Sequence, residues 1–399
     1  MNNSDRKHKQ ALYAGLERKH ILRVFWFSCC LFAIYGAVFL LQEQLQGPLF
    51  ADEKSFWKTS LLFSHSLLPD LNQLKNYPEL NTPLPFIIFG NLEYLFSQGI
   101  FAGRLLNLIL SLIMVFLIGV PLHRNSKHSV LSAIGLLSFP YYLWLSSLLY
   151  TDIVAAFFVF FGFWFYLRNQ HLLSGIAFVL AIASRQYMLT FPVALIAYEI
   201  ANSLMSGRFQ FRLQWLTPAI AASSIFVWFR FFNGIAPQSG IVERATTPAV
   251  QQTLWAIAPD SSLYFLACLG LYFVIPEWLL FCRKINPKFL LIRKNYFIAS
   301  GLLALFLIFP PIEAHGLLIK VTDFLPASVF SMALFYCLAL LVCLRFSKIN
   351  LAFFVLLVCA GLMMKAYPWD KYALPLLVVF WYFKSIDVLD GINQSQTPA

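Results

Sequence analysis

Charge is scarce in this sequence. Only 12% of its 399 residues are Asp, Glu, Lys or Arg, about half the share of a soluble globular domain, which excludes a soluble enzyme. No polar–apolar alternation of strand length recurs, which excludes a membrane β-barrel. A glycine-rich phosphate loop is missing, and with it the usual nucleotide pocket. None of the seven cysteines (29, 30, 268, 282, 337, 343 and 359) sits in a long polar loop, so no structural disulfide is expected. No residues fall at metal-ligand spacing. There is no long internal repeat, and no matched pair of broken helices of the kind that secondary transporters carry.

What is abundant is apolar surface. Hydrophobic residues make up 60% of the chain, in recurring runs near the roughly 20 residues that cross a bilayer. The chain therefore reads as an all-α polytopic membrane protein with about 11–12 transmembrane helices. Expected spans are 21–42, 100–122, 130–148, 151–167, 172–184, 187–204, 213–232, 262–282, 295–312, 326–344, 349–364 and 373–384. The basic segment 1–20 precedes them, and a polar tail, 385–399, follows the membrane domain 21–384. The first apolar run has no cleavage-site pattern and reads as a retained helix. Two long loops stand out, 43–98 and 233–260. Part of the first, such as 53–68, is amphipathic enough to lie on the membrane surface.

A net charge of +11 would suggest nucleic acid in a soluble protein; here it fits the positive-inside rule. With the N-terminus cytoplasmic, alternate threading puts 19 of the 29 lysines and arginines inside. It leaves Lys54, Lys58, Lys75, Arg104, Arg185, Arg230, Arg244, Lys320, Lys365 and Lys371 outside. The same threading gathers Asp52, Tyr150, Asp152, Arg185, the 233–260 loop, His315 and Lys371 on the external face, in a bacterial plasma membrane or endoplasmic reticulum.

These residue types suit glycosyl transfer from a lipid phosphate, where a carboxylate takes the acceptor's proton and cations hold the leaving phosphate. Asp52 is the candidate base, with Glu53 beside it; the plain alternative is a pair of acids opening a surface helix. Arg185 interrupts an apolar run, and a charge so placed is functional by default. It either binds phosphate in a bidentate fork or pairs with Asp152. Asp152 caps a helix, orients Arg185 or binds sugar. Lys371 and Tyr372 lie in a loop suited to closing over a phosphate, or form an interfacial belt. Glu53, Arg244 and His315 are secondary candidates on the acceptor side.

Several fragments together resemble a known family. Ala51-Asp52-Glu53, with Thr82-Pro83-Leu84-Pro85 after it, is similar to the first external loop of GT-C glycosyltransferases. Leu148-Leu149-Tyr150-Thr151-Asp152 and Arg185-Gln186 resemble the dolichyl-phosphate-glucose-dependent alpha-1,2-glucosyltransferase family. Phe232-Asn233-Gly234-Ile235 and Ser239-Gly240 are similar to that family's later loop. The resemblance covers about residues 45–260 and departs from the family pattern at Asn76-Tyr77-Pro78-Glu79. A bacterial relative acting on another acceptor stays open.

The resemblance implies the GT-C arrangement, Asp52 as catalytic base, and Tyr150, Thr151, Asp152, Arg185 and Gln186 around the donor. It also implies a polyprenyl- or dolichyl-phosphate sugar as donor, glucose favoured, and a lipid-linked or extracytoplasmic glycan as acceptor. No cofactor is required, and a divalent metal is left open. The rivals are a multi-pass lipid or sugar transporter or flippase, which calls for mid-helix charges, and a non-catalytic scaffold.

Overall fold

The computed structural model describes residues 3–120, 128–207, 213–245, 247–281 and 293–389, with residues 3–20 by backbone alone. The basic residues Arg124, Lys127, Arg208, Arg212, Arg283, Lys284 and Lys288, together with Cys282 and the tail from residue 390, lie outside the described residues. Helix α1 (Asn3–Leu41) runs unbroken through the stretch expected as a separate basic segment and into the first apolar span, Ile21–Leu41.

The first long loop is folded as three helices: α2 (Glu53–Leu62), α3 (Leu71–Lys75) and α4 (Leu84–Phe96). A capping box starts α3: Gln73 N–H donates to Asp70 at 2.8 Å, and the Gln73 side chain accepts from Asp70 N–H at 3.0 Å. In α4 a proline stands in the first turn, where its missing N–H costs no hydrogen bond. Thr82-Pro83-Leu84-Pro85 thus opens a helix, which corrects the expectation of loop through residue 98. Helix α4 packs between α2 and α5 (Ile100–Gly119).

The expected continuous span 130–148 is broken. Helices α6 (Ser129–Leu137) and α7 (Pro140–Ser146) meet at 75°. Pro140 is the cause, because it holds Phe139 in extended backbone and α6 must stop before it. Four helices follow: α8 (Thr151–Tyr166), α9 (His171–Ser184), α10 (Thr190–Met205) and α11 (Leu213–Phe232). The second long loop holds the short α12 (Gln238–Glu243). Beyond it, α13 (Pro259–Leu269) passes through one π-helical turn into α14 (Ile275–Phe281) as a single span. The remaining helices are α15 (Arg293–Ile308), α16 (Leu317–Thr322), α17 (Ser328–Arg345), α18 (Leu351–Met363) and α19 (Leu374–Ser385).

Among the described residues, six helices are long and apolar enough to cross a membrane, or seven with the bent pair as one span. The other expected passes are shorter, such as α8 with 16 residues and α18 with 13. The chain is an all-α polytopic membrane protein.

Helix α19 is the middle of the bundle. All twelve of its residues are buried, which is how a helix apolar on every side must sit. Trp381 lies against Gly135 of α6, where even a Cβ would come within 2.3 Å of the indole. Tyr382 packs on Phe160 at 5.0 Å and Phe383 on Phe163 at 5.1 Å, both of α8. At its C-terminal end Lys384 pairs with Glu277 at 3.0 Å, a carboxylate also held by Arg345. Its N-terminal end carries the short turn Asp370–Ala373, and there the polar residues gather.

Candidate active site

Asp52 and Glu53 are adjacent in sequence and face different surroundings. Glu53 is fully buried, and its two oxygens accept four hydrogen bonds. Arg104 donates two, at 2.9 and 2.7 Å; the N–H groups of Leu149 and Phe50 donate the others, at 2.6 and 2.9 Å. The remaining Arg104 donors go to the carbonyls of Leu45, Gly47 and Pro48. This pair fastens residues 45–53 to α5 and to the chain just before α8. It corrects the expectation of Glu53 as an acceptor-side group, because no lone pair is left facing a substrate.

Asp52 occupies the position before α2 but makes no capping bond. Its carboxylate, 31% exposed, turns instead to Lys371 Nζ at 3.0 Å. Ala51, just before it, takes a left-handed backbone with φ +48°, a conformation that costs about 1–2 kcal/mol outside glycine. The Glu53 lock holds the chain there.

Lys371 is buried although it is a lysine, with 4% of its side chain exposed. Aromatic faces surround its ammonium: Trp369 at 3.8 Å, Tyr150 at 5.1 Å and Tyr372 at 5.9 Å. Such faces attract a desolvated cation. Tyr372 also meets the Arg185 guanidinium at 5.6 Å and the Tyr187 ring at 5.7 Å. Arg185 is buried and ion-paired with Asp152. Asp152 therefore does not cap α8, whose first turn has no side-chain cap. Asp52, Tyr150, Asp152, Arg185, Lys371 and Tyr372 thus form one connected group, drawn from four separate stretches of chain.

The corner around Arg185 is not self-sufficient. Besides the ion pair, Asp152 Oδ2, Arg185 Nε, Thr151 Oγ1 and the Tyr187 hydroxyl are buried without a hydrogen-bond partner. Each such atom costs about 1–3 kcal/mol if it stays dry and unpaired.

Gln186, expected around the donor, also braces the frame of the site. Its amide donates to the carbonyls of Leu80 at 2.6 Å and Ile235 at 3.2 Å, tying the two long loops together. The Thr82 hydroxyl on Ile182 O and the Ser239 hydroxyl on Tyr77 O add to this seam. Gly240 fits it closely, since a Cβ there would stand 2.4 Å from Glu79 O. Arg244 bonds Glu79 and the Ser55 hydroxyl, and Ser55 in turn donates to Asp52 O at 2.9 Å. The second loop thereby reaches the helix that carries the candidate base. Burial pushes the Glu79 carboxyl above its ordinary value, and Arg244 opposes the rise.

His315 is exposed and engages Tyr367, with Trp369 between it and Lys371. Three neighbours escaped sequence reasoning: Asp370, Glu79 and Tyr187. Asp370 is fully buried and accepts from Tyr264, from Tyr272 at 2.6 Å and from Leu318 N–H at 2.9 Å. It anchors the turn from which Lys371 projects. The only signal available was adjacency, Asp370 to Lys371, Tyr187 to Gln186, and Glu79 within the loop of Tyr77-Pro78. Among the described residues no group of three His, Cys, Asp or Glu gathers as a metal site.

Residues 88–285 match the model of the DIE2/ALG10 family. Over that stretch, just under half of its length, the chain resembles that family. It is the dolichyl-phosphate-glucose alpha-1,2-glucosyltransferase family, of GT-C type, and the likeness implies a glycosyltransferase of the glucosyltransferase kind. The matched segment contains Tyr150, Asp152, Arg185, Gln186 and Arg244, while Asp52, Lys371 and Tyr372 lie on either side of it. No curated protein and no solved structure matches the chain.

Proposed function

We propose that the protein is an inverting hexosyltransferase. It moves a hexose, glucose favoured, from a polyprenyl- or dolichyl-phosphate to a lipid-linked or other extracytoplasmic glycan. The observation that carries this reading is Asp52: a half-open carboxylate on a buried lysine, beside the buried Arg185–Asp152 pair. The other acids around it, Glu53, Glu79, Asp152 and Asp370, are all buried. Asp52 is thus the one an acceptor hydroxyl can reach.

In this reading Asp52 takes the proton from the acceptor hydroxyl as its oxygen bonds to the anomeric carbon. The bond from that carbon to the phosphate oxygen breaks, and its electron pair leaves with the lipid phosphate. Arg185 and Lys371 meet the leaving charge, an effect worth several kcal/mol in a dry site. Attack from the face opposite the phosphate inverts the anomeric centre. Before donor arrives, Lys371 serves as the counter-ion of Asp52. A donor phosphate competes for that ammonium and frees the carboxylate for the acceptor. The positive-inside rule supports a cytoplasmic N-terminus and a site on the external or lumenal face.

The test is transfer by purified protein, in lipid, of labelled glucose from a polyprenyl phosphate to a lipid-linked glycan. Asp52→Asn is expected to lose about 10²–10⁴-fold in rate with donor binding retained. Full activity in that variant removes Asp52 from the chemistry. Lipid translocation without any transfer by the wild type favours the flippase instead.

A further inference from the structure

The unsatisfied corner beside Arg185 has a definite chemical character. Asp152 Oδ2 accepts, Arg185 Nε donates, and the Tyr187 hydroxyl does either; all three are buried and without a hydrogen-bond partner. The Tyr187 hydroxyl lies within reach of the Asp152 carboxylate, in a geometry short of a well-aligned hydrogen bond. Its ring is fixed, edge-on to Tyr372 at 5.7 Å and under the Arg185 guanidinium at 5.0 Å. The hydroxyl therefore cannot swing off to find another partner.

The guest that fits this corner is constrained. A phosphate set on the Asp152 side of Arg185, rather than on the side shared with Tyr372 and Lys371, would be repelled by that carboxylate. A lipid tail would leave every polar atom unpaired. Neighbouring alcohols on a ring meet the pattern, giving one proton to Asp152 and accepting from Nε and the phenol.

We infer that Asp152, Arg185 Nε and Tyr187 form a hydroxyl-reading floor for the donor's sugar, with Tyr187 as a specificity-determining residue. This rests on the hexosyl-transfer reading and extends it by naming the atoms that tell one hexose from its epimer. A site built to bond a hydroxyl discriminates strongly against a sugar that presents it wrongly, because its own buried groups are then left bare.

Tyr187→Phe tests the inference, since it removes one oxygen and keeps the ring. The probes are polyprenyl-phosphate glucose and its C2 and C4 epimers, mannose and galactose. The expected result is a fall of about 10–100-fold in kcat/KM for the preferred donor and a narrowed ratio between epimers. The thermal midpoint of the detergent-solubilised variant should equal or exceed that of the wild type, because an unpaired buried hydroxyl has gone. An unchanged epimer ratio in an active variant overturns the inference alone. So does a lowered midpoint with that ratio unchanged, which would mark the hydroxyl as purely structural. Absence of transfer by the wild type from all three donors overturns the hexosyl-transfer reading beneath it.

Discussion

Replacing Glu53 by glutamine removes one charge and adds two amide hydrogens where every neighbour is already a donor. Arg104 Nε and Nη2, Leu149 N–H and Phe50 N–H all point at the two carboxylate oxygens. The glutamine oxygen can serve two of them; its nitrogen must face the other two. Arg104, with 3% of its side chain exposed, then lacks a counter-charge. Breaking one side of a buried pair costs about 3–5 kcal/mol, and orphaned backbone donors push toward the upper end. Replacing both partners by leucine should recover only part of that loss, because the carbonyls of Leu45, Gly47 and Pro48 lose their donor as well. The assay is a pair of measurements on each variant: thermal midpoint in detergent, and turnover per folded molecule. Glu53→Gln should lower the midpoint sharply and spare turnover in what remains folded. A Glu53→Gln protein with the wild-type midpoint and no turnover would refute the reasoning, because the buried carboxylate would then belong to the chemistry.

Two further substitutions probe the frame around the site. Glu79 has its carboxyl pushed above the ordinary value of 4.5 by burial. Its protonated form is therefore favoured by folding, with the gain fully present below about pH 4.5 and lost as pH rises through the raised value. Glu79→Gln should accordingly be at least as stable as the wild type at neutral pH, with the difference shrinking toward acid in a midpoint-against-pH series. A variant less stable at neutral pH would mean that the Arg244 pair outweighs burial. Gly316 sits at φ +125° with Asp370 Oδ1 only 2.3 Å from where a Cβ would be. Gly316→Ala should cost more than about 2 kcal/mol and loosen the turn bearing Lys371; an unchanged midpoint would contradict that packing.

Hydropathy made most of the bundle legible, because a lipid-crossing helix advertises itself in sequence without reference to its neighbours. The same is true of Asp52, Asp152, Arg185 and Lys371: a charge beside an apolar run is conspicuous, and alternate threading puts them all at one end. What stayed hidden depends on pairing across distance. Nothing local says that Glu53 finds Arg104, 51 residues on, or that Gln186 bonds Leu80 and Ile235. Asp370 reads as one more loop acid until two tyrosines from α13 and its π turn close on it. The bend at Pro140 and the helix opened by Pro85 show proline's double meaning. It ends one helix and begins the next, and a window over composition cannot tell which.

The buried position of α19 also bears on how the molecule is made. Asp52 emerges from the ribosome 319 residues ahead of Lys371. At about 5–20 residues per second the acid waits tens of seconds for its cation. Until then the helices made earlier lack the element that they pack around. Entry of α19 fills the centre of the bundle and delivers the lysine with it. A partly synthesised chain thus holds an acid without its ammonium, and the proposed chemistry switches on only when assembly finishes.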